Sequence, residues 1–280
     1  MGTISYDPIK NRFAGYIRHS RLLRTLFYYL LDLFFLRSWH IRRILKKEGG
    51  ILDRKGRWRL LDAGCGFGQY DRFILNRFEN VEVLAIDVKE NYLEDCKKYF
   101  QKEIKEGKIA FRQADLLKFD PEPVFDFILC IDVLEHIEDD QAVIRNLAHS
   151  LKPGGRLLMH SPSHYSEEDA GDEESFVGEH ARAGYSKQDI QKKYKEVGLR
   201  VDKLHYTYGR YGHMAWQMSV KGPMLLLNRV GMSGLMLLVV YYPLVLLPCL
   251  LLNTADLFTG NVKGNGIYAL GSRPGSDSNR

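Results

Sequence analysis

The sequence predicts an α/β fold built on a doubly wound, mainly parallel sheet. Short apolar, β-rich runs alternate with amphipathic helical stretches, a glycine-rich turn follows the first run, and an aspartate ends each of the next two. Such alternation implies parallel strands that are joined by crossover helices. At 280 residues and 45% hydrophobic content, the chain can form one elaborated domain around a single core.

The strands and helices follow from this alternation in chain order. Strands are predicted at 57–63, 81–87, 109–113, 125–131 and 156–161, with two more at 199–208 and 264–271. Helices are predicted at 69–78, 89–105, 139–151 and 187–197. The third of these helices should end before Pro153, because a helix cannot continue through the following Gly154 and Gly155.

Residues 1–50 are predicted to form a separate basic and aromatic helical region. The net charge of the chain is only +5, but many basic residues crowd this region, and 22–36 is rich in Leu and aromatic residues. Basic flanks beside an apolar stretch are typical of a surface that faces anionic lipid, although a solvated helix face could also be basic. No nucleic-acid partner is expected.

A second unusual segment, residues 230–255, contains 26 consecutive uncharged residues. About 20 apolar helical residues suffice to span a bilayer once. If the strands before and after this segment share one sheet, the segment must leave and return on the same side, which excludes a single crossing. Pro243 and Pro248 offer breaks, so a re-entrant or in-plane helical hairpin is favoured. A buried dimer interface and a true transmembrane anchor remain alternatives.

These features divide the chain into four parts. Residues 1–50 form the basic helical region, 51–211 and 262–272 the α/β domain, 212–261 the hydrophobic insertion, and 273–280 a flexible tail. Polar residues precede the first apolar stretch and no small-residue cleavage site follows it, so no secretory signal is evident. We therefore expect a peripheral or monotopic protein at the cytoplasmic face of a membrane.

The glycine-rich turn at 60–68 (LLDAGCGFG) is the first candidate binding element. Glycine allows a sharp backbone turn and a close approach to a ligand. The spacing is GxGxG, which differs from the GxGxxG of dinucleotide binders, and Asp62 precedes the first glycine. A nearby carboxylate disfavours a diphosphate, whereas it favours a cationic amino-acid ligand.

Two further acids end the next two predicted strands. Asp87 lies where a carboxylate can accept both hydroxyls of a ribose, and Asp115 lies where it can accept from an adenine amino group. An acid that ends a strand is often only a helix cap. The order of these features along successive strands is what indicates a nucleoside-bearing ligand.

Taken in order, LLDAGCGFGQY, VLAIDV, FRQADLLKF, FDFILCIDVLEHI and LKPGGRLLMHSP resemble the successive motifs of class I S-adenosylmethionine-dependent methyltransferases, specifically the type 11 branch. The resemblance covers roughly residues 60–201. It implies a Rossmann-like sheet of six parallel strands and an antiparallel seventh, with S-adenosylmethionine as the cofactor. The cofactor residues that it implies are Asp62, Gly64, Cys65, Gly66, Gly68, Asp87, Val88, Asp115, Leu116, Ile131 and Asp132.

The acceptor side is less specific. Transfer to an OH or NH group requires alignment and removal of a proton, for which histidine is a natural base. The stretch 178–186 resembles the EHxRxGYS sequence of many type 11 methyltransferases, which borders the acceptor pocket. We therefore predict catalytic roles for His180, Arg182 and Tyr185, with a helix N-cap and polar loop as the alternative. His160 and His164 could also line the pocket.

Residues 132–136 (DVLEH) resemble the metal site of certain RNA 2′-O-methyltransferases and some quinone O-methyltransferases. The same tetrad is common in metal-free relatives, so no metal is predicted. The sequence thus predicts a membrane-associated methyltransferase that acts on a lipid, isoprenoid or polyketide-like acceptor, with a homodimer as one option. Its alternatives are a soluble small-molecule methyltransferase with a dimeric apolar segment, and a non-catalytic cofactor-binding subunit of a membrane assembly.

Overall fold

The computed structural model describes residues 20–166, 181–230 and 234–275, and expectations for other residues lie outside it. Within this part, one seven-stranded sheet has the order β3-β2-β1-β4-β5-β7-β6. Its strands are β1 (Trp58–Ala63), β2 (Val81–Asp87), β3 (Ile109–Gln113), β4 (Phe125–Ile131), β5 (Leu151–Pro162), β6 (Arg200–Thr207) and β7 (Gly266–Ser272). β7 runs antiparallel to β5 and β6, whereas the other neighbouring pairs are parallel. The predicted fold class is confirmed.

Helices cover both faces of the sheet and precede it. They are α1 (Arg21–Phe34), α2 (Leu36–Lys55), α3 (Gln69–Arg77), α4 (Glu90–Tyr99), α5 (Gln101–Lys105), α6 (Asp140–Ser150) and α7 (Lys187–Glu196). The prediction of one helix over 89–105 is wrong, because that stretch divides at Phe100. The Phe100 ring is buried and packs 5.5 Å from the Phe111 ring. Packing of this ring against the sheet therefore accompanies the break.

β5 begins five residues earlier than predicted, at Leu151. The predicted turn over Gly154 and Gly155 lies inside the strand, where the Gly154 N–H donates to the Arg273 carbonyl at 2.9 Å. A Cβ on Gly155 would lie 3.0 Å from the Phe125 carbonyl oxygen. Glycine here allows the neighbouring backbones to pack closely, so the residues that suggested a turn instead permit strand pairing.

The insertion between β6 and β7 is helical. It contains α8 (Arg210–Trp216), a π-helical turn (Gln217–Lys221), α9 (Gly222–Val230) and α10 (Gly234–Phe258). The chain leaves the sheet after β6 and returns in β7, which is its neighbour. The Tyr241 and Tyr242 hydroxyls of α10 donate to the Met218 and Ser219 carbonyls, so the two described arms of the insertion pack together as a helical hairpin. Its contact with a membrane stays a prediction.

The expected helix breaks at Pro243 and Pro248 do not occur, since α10 continues through both residues. Contacts with the other arm of the hairpin flank these prolines. The Tyr242 hydroxyl donates to the Ser219 carbonyl at 3.1 Å, and the buried Cys249 thiol donates to the Ala215 carbonyl at 3.7 Å. Tertiary packing thus holds a helix that sequence reasoning divides.

A buried aspartate attaches the base of the hairpin to the domain. Asp256 is fully buried, and its carboxylate accepts from the Gly212 N–H and from the Asn261 amide, each at 3.0 Å. Arg43 of α2 donates to the Leu257 carbonyl at 3.0 Å. The base of α10 is therefore fixed to both the insertion's first helix and α2.

Candidate cofactor site

The glycine turn lies between the end of β1 and the start of α3. The N–H groups of Gly64 and Cys65 both donate to the Ile86 carbonyl, at 2.8 and 3.0 Å, so the turn is held against the end of β2. Gly64 has a φ of 83°, and a Cβ there would lie 2.3 Å from Val133 Cγ2. Only glycine fits this position, because any side chain would collide with Val133, two residues after the end of β4.

Gly66 lies in a different environment. Its φ of 53° also favours glycine, but in the described part of the chain no atom lies within 4 Å of the position that a Cβ would occupy. This space above the turn is open to a ligand. Gly68, with a φ of 73°, completes the turn before α3.

The Asp87 carboxylate lies beside this open space. One oxygen accepts from the Gly66 N–H and the other from the Lys89 N–H, both at 2.9 Å. Each carboxylate oxygen can accept more than one hydrogen bond, so these contacts leave capacity for ligand hydroxyls. The position agrees with the predicted ribose contact. Val88, next in the chain, is 56% exposed.

Asp62 and Asp71 form a buried acidic pair below the turn. Asp62 is 2% exposed and Asp71 is fully buried. Among the described residues, no N–H or hydroxyl group donates to Asp62 Oδ2 or to either Asp71 carboxylate oxygen, so the two side chains can hydrogen-bond there only to each other, when one carboxyl is protonated. Burial and, to a lesser degree, the charge of Asp87 raise the pKa of Asp62 to about 7. Burial and the charge of Asp62 raise the pKa of Asp71 well above its ordinary value.

Such a pair favours a cation, because a buried carboxylate needs a compensating charge. The ammonium group of an amino-acid ligand would supply it. The residues therefore fit a cofactor that carries an amino-acid moiety, and the open space at Gly66 fits its passage over the turn. Sequence reasoning identified Asp62 but missed Asp71, although Asp71 stands among the apolar residues of YDRFIL, which indicates a buried helix face.

The other predicted cofactor residues lie at the same edge of the sheet, at the carboxyl ends of adjacent strands. Asp115 follows β3 in an exposed turn, and its side chain accepts from the Leu117 N–H at 3.0 Å. Leu116 and Ile131 are 5% and 8% exposed, and Cys65 is 8% exposed. This edge is where ligands bind in open α/β sheets.

Asp132 is the centre of a polar chain across the ends of β4, β5 and β6. Its carboxylate pairs with Arg37 of α2 and lies 2.5 Å from His160 Nδ1, whereas His160 Nε2 lies 3.2 Å from the Thr207 hydroxyl. Burial opposes ionisation of Asp132, but the charges of Arg37 and His160 outweigh it and hold its pKa below the ordinary value. Burial also lowers the pKa of His160, against the opposing charge of Asp132.

Sequence reasoning missed Arg37, which was assigned only to a basic surface. It lies 95 residues before Asp132 in the chain, so no local pattern connects the two residues. Asp132 itself has a φ of 52°, which is uncommon for a residue other than glycine. The structure thus adds a charged group from the N-terminal helices to the predicted site.

The residues predicted to be catalytic are only partly described. His180 lies outside the described residues. The Tyr185 hydroxyl donates to the Asp140 carboxylate at 2.6 Å, and Arg182 pairs with the same carboxylate at 2.6 Å. Tyr185 is 1% exposed. These contacts connect the start of α6 to the loop before α7, and they provide no support for a catalytic role, which stays a prediction.

Glu135 is buried; it belongs to residues 132–136 (DVLEH), the stretch that resembles a metal site. It accepts from the Ser161 hydroxyl at 2.8 Å, and burial together with the charge of Asp132 raises its pKa to about 8. In the three described ranges, no group of three or more His, Cys, Asp or Glu side chains could hold a metal ion. The absence of a metal stays a prediction.

Comparison with known proteins identifies the domain. A family model described as a methyltransferase domain matches residues 61–157. The chain is 27% identical over 179 residues to a 27-O-demethylrifamycin SV methyltransferase of Amycolatopsis mediterranei, covering 62% of this chain and 65% of that protein. The chain thus spans less than two thirds of this relative's length.

Solved structures share the fold. A putative sarcosine dimethylglycine methyltransferase from Galdieria sulphuraria has a TM-score of 0.60 and 18% identity, with 85% of this chain and 86% of that chain covered. Haemonchus contortus phosphoethanolamine N-methyltransferase 2, in complex with S-adenosylmethionine, has a TM-score of 0.55 and 20% identity, with 89% and 60% covered.

The seven-stranded sheet, the glycine turn at its carboxyl edge and the matched methyltransferase domain lead to one conclusion. Residues 61–157 match a methyltransferase domain, and the described sheet has the Rossmann-like fold of class I methyltransferases, which supports S-adenosylmethionine as the cofactor.

Proposed function

We propose that the protein transfers a methyl group from S-adenosylmethionine to a lipophilic acceptor at the cytoplasmic face of a membrane. The observation that carries the proposal is an exposed apolar helical surface that is attached directly to a cofactor-binding domain. Lipid, isoprenoid and polyketide-like molecules are the acceptor classes that fit such a location.

The exposed surface lies along α10. Its large apolar side chains remain accessible, including Met236 (82%), Val239 (74%), Leu244 (71%), Leu247 (64%) and Leu251 (63%). The segment Met236–Phe258 has a mean hydropathy of 2.1, and 22% of its most apolar stretch is buried. The core helix of a soluble protein would be mostly buried, so the low burial favours a lipid or protein contact on this surface.

Charge favours lipid over a second protein copy. Residues 20–55, which pack against the base of the hairpin, carry six exposed Lys and Arg side chains but no exposed Asp or Glu side chain; the exposed cations are Arg21, Arg43, Lys46, Lys47, Arg54 and Lys55. Cationic side chains near a membrane surface add about 1 kcal/mol each where the lipids are anionic. An anionic bilayer therefore matches both the apolar and the basic part of this region.

The known relatives do not decide the acceptor. One is described as acting on a demethylated rifamycin, and a solved structure of the same fold is described as a phosphoethanolamine enzyme. Because acceptors vary so widely on one fold, the acceptor class has to be argued from this chain's own surface.

The cofactor supplies a methyl group on a positively charged sulfur. In the proposed roles, Asp62 and Asp71 balance the charge of its amino-acid end, and Asp87 accepts from its ribose. For an OH or NH acceptor, the S–CH₃ bond breaks as the new bond to the methyl group forms, and the acceptor proton passes to a base. His180 is the predicted base, and the Asp132–His160 pair lies at the strand ends of the same site.

Labelled methyl transfer tests the proposal. The full-length protein is incubated with S-adenosylmethionine that carries an isotopic methyl label and with membranes from the host, and the lipid extract is analysed by mass spectrometry. A lipid that gains one labelled methyl group supports the proposal, and an Asp87→Ala variant should reduce the gain when the cofactor is below saturation. Label that appears only in water-soluble products would contradict it, as would a detergent-free soluble dimer that never binds vesicles.

A further inference from the structure

The first helix has an inverted distribution of polar and apolar side chains. Arg24, Tyr28 and Asp32, one helical turn apart, are 5%, 0% and 9% exposed, and we name them the inner stripe. The outer stripe consists of Leu22 (78%), Leu26 (52%), Tyr29 (57%) and Leu30 (42%). A surface helix ordinarily buries its apolar residues and exposes its charged ones. α1 does the reverse, so both its buried polar side chains and its exposed apolar side chains need an explanation.

On the inner side, the reason is the glycine turn of the cofactor site. Arg24 donates through Nη2 to the Phe67 carbonyl at 2.9 Å and through Nη1 to the Asp95 carbonyl at 2.6 Å. The Tyr28 hydroxyl donates to the same Phe67 carbonyl. Phe67 lies between Gly66 and Gly68, so α1 directly holds the turn over which the cofactor must lie.

Asp32, the third member of the inner stripe, holds Gln69, the residue that follows Gly68. Gln69, which begins α3 after the turn, donates to the Asp32 carboxylate at 2.9 Å and to the Ser38 hydroxyl at 2.8 Å. Asp32 in turn pairs with Arg42 of α2 at 2.8 Å. The inner stripe thus contacts both sides of Gly68, and displacement of α1 would release the turn.

On the outer side, the side chains fit a bilayer of anionic lipid. Arg21 lies over the Tyr99 ring at 5.6 Å, and Arg72 lies over the Tyr29 ring at 4.3 Å, so cations border the apolar stripe. Leucine side chains with basic and aromatic neighbours are the composition of interfacial helices. At its far end, Phe34 packs 5.2 Å from Tyr242 of α10, which joins α1 to the exposed hairpin.

We propose that α1 couples lipid binding to cofactor binding. This inference rests on the membrane location proposed above. Lipid that binds the outer stripe holds α1 in place, and α1 in place holds the Phe67 carbonyl and Gln69 in the geometry that the cofactor requires. Because a ligand binds more weakly when its competent state is only partly populated, lipid contact raises the affinity for the cofactor. By linkage, the cofactor raises the affinity for lipid by the same factor.

The test measures cofactor and lipid binding separately on the full chain. S-adenosylhomocysteine, the demethylated cofactor, is titrated calorimetrically with and without vesicles of phosphatidylcholine and phosphatidylglycerol, and vesicle binding is followed by co-sedimentation. We expect vesicles to tighten S-adenosylhomocysteine binding by about fivefold or more, the lower end of ordinary coupling between sites. The ligand should increase the co-sedimented fraction correspondingly.

Two variants separate the two sides of the helix. Leu22→Ser/Leu26→Ser/Leu30→Ser changes only exposed side chains, so it should bind S-adenosylhomocysteine normally in solution and still reach vesicles through α10, but without the vesicle effect. Arg24→Ala should weaken S-adenosylhomocysteine binding in solution, with partial recovery in Arg24→Lys.

The possible outcomes are distinct. Wild-type protein that sediments with vesicles but shows unchanged S-adenosylhomocysteine affinity would overturn the coupling and leave the proposed function standing. A triple variant that retains the full vesicle effect would also overturn it. Wild-type protein that binds no vesicles would overturn both the membrane location and the coupling.

Discussion

The glycine turn and the helical hairpin show opposite ways of using side chains. Around the turn, Gly64, Cys65 and Gly66 each donate a backbone hydrogen bond, and a single misplaced Cβ would collide with Val133. Along the outer face of α10, six leucine and valine side chains are more than half exposed, and apolar contacts of such side chains are not directional: Leu237, Val239, Val240, Leu244, Leu247 and Leu251. The comparison indicates that the glycine turn depends on the exact position of its backbone atoms, whereas the proposed role of the hairpin depends on its exposed apolar area.

The largest effect should come from removing apolar area at the hairpin. Val239→Ser/Val240→Ser/Leu244→Ser/Leu247→Ser removes four exposed aliphatic side chains, roughly 6 to 12 kcal/mol of transfer free energy at the usual amount per side chain. The variant should leave the membrane fraction and keep its affinity for S-adenosylhomocysteine, as measured by sedimentation and calorimetry.

The matched control is the buried Leu238, which is 8% exposed. Leu238→Ser should lower the thermal stability of the protein and leave it on the membrane. If the quadruple variant stays membrane-bound, α1 alone is the anchor. If it instead changes from a soluble dimer to a monomer, the surface is a protein interface.

The second effect tests the turn. Gly64→Ala places a Cβ where Val133 lies 2.3 Å away and at a φ of 83°, so we expect a loss of about 3 kcal/mol or more of folding free energy, as for overpacking with backbone strain. Denaturant unfolding measures it. Gly66→Ala, which meets open space, should lose about 1 kcal/mol of stability but much more of its cofactor affinity. Equal stability losses in both variants would contradict the described turn.

Asp87→Ala tests the contact between the turn and β2. The variant removes an acceptor that is expected to bind two ribose hydroxyls and that already holds the Gly66 N–H. Cofactor affinity should fall by about 2 kcal/mol or more, since hydrogen bonds to charged groups are worth about that much. Calorimetry that shows unchanged affinity would remove Asp87 from the site.

The acidic pair predicts a pH dependence. Because burial raises the pKa of Asp62 to about 7, its folded form retains a proton that the unfolded chain would release. Stability of the ligand-free protein should therefore fall as the pH rises from about 4 through 7. Cofactor affinity should have the opposite pH dependence: it should fall as the pH drops, by about tenfold below pH 6, because the carboxylate is then protonated. Thermal shifts with S-adenosylhomocysteine at several pH values measure both, and Asp62→Asn should reduce the dependence.

The smallest effect concerns Tyr185. If its hydroxyl only holds Asp140, then Tyr185→Phe should cost about 1 kcal/mol of folding free energy and leave the methyl-transfer rate per folded molecule unchanged. A rate loss of a hundredfold with normal stability would instead support the predicted catalytic role. The same rate assay on His180→Ala tests the proposed base.

Local patterns were sufficient for much of the fold. β2, β3 and β4 have the predicted bounds, because each is a short apolar run between clear polar breaks. The glycine turn and Asp87 were found for a similar reason, since a turn at the end of a strand has a compact signature. Gly154 and Gly155 misled the prediction of β5, because glycine signals a turn equally well as close strand packing.

Contacts between distant segments could not be found in this way. Asp71 and Arg37 belong to the site only because α3 and α2 bring them to Asp62 and Asp132. The continuity of α10 through Pro243 likewise depends on the helices packed against it.

The sequence by itself determined the alternation of strands and helices, the cofactor turn, and the presence of two apolar segments outside the sheet, since each is encoded within a few neighbouring residues. The tertiary structure decided which side of each segment is exposed. In α1 it turned Arg24 and Tyr28 inward to the Phe67 carbonyl and left Leu22 and Leu26 outside, the reverse of what amphipathicity alone would predict. The physical reason is that a buried guanidinium is stabilised only where carbonyl acceptors converge, and that convergence exists only in the folded chain.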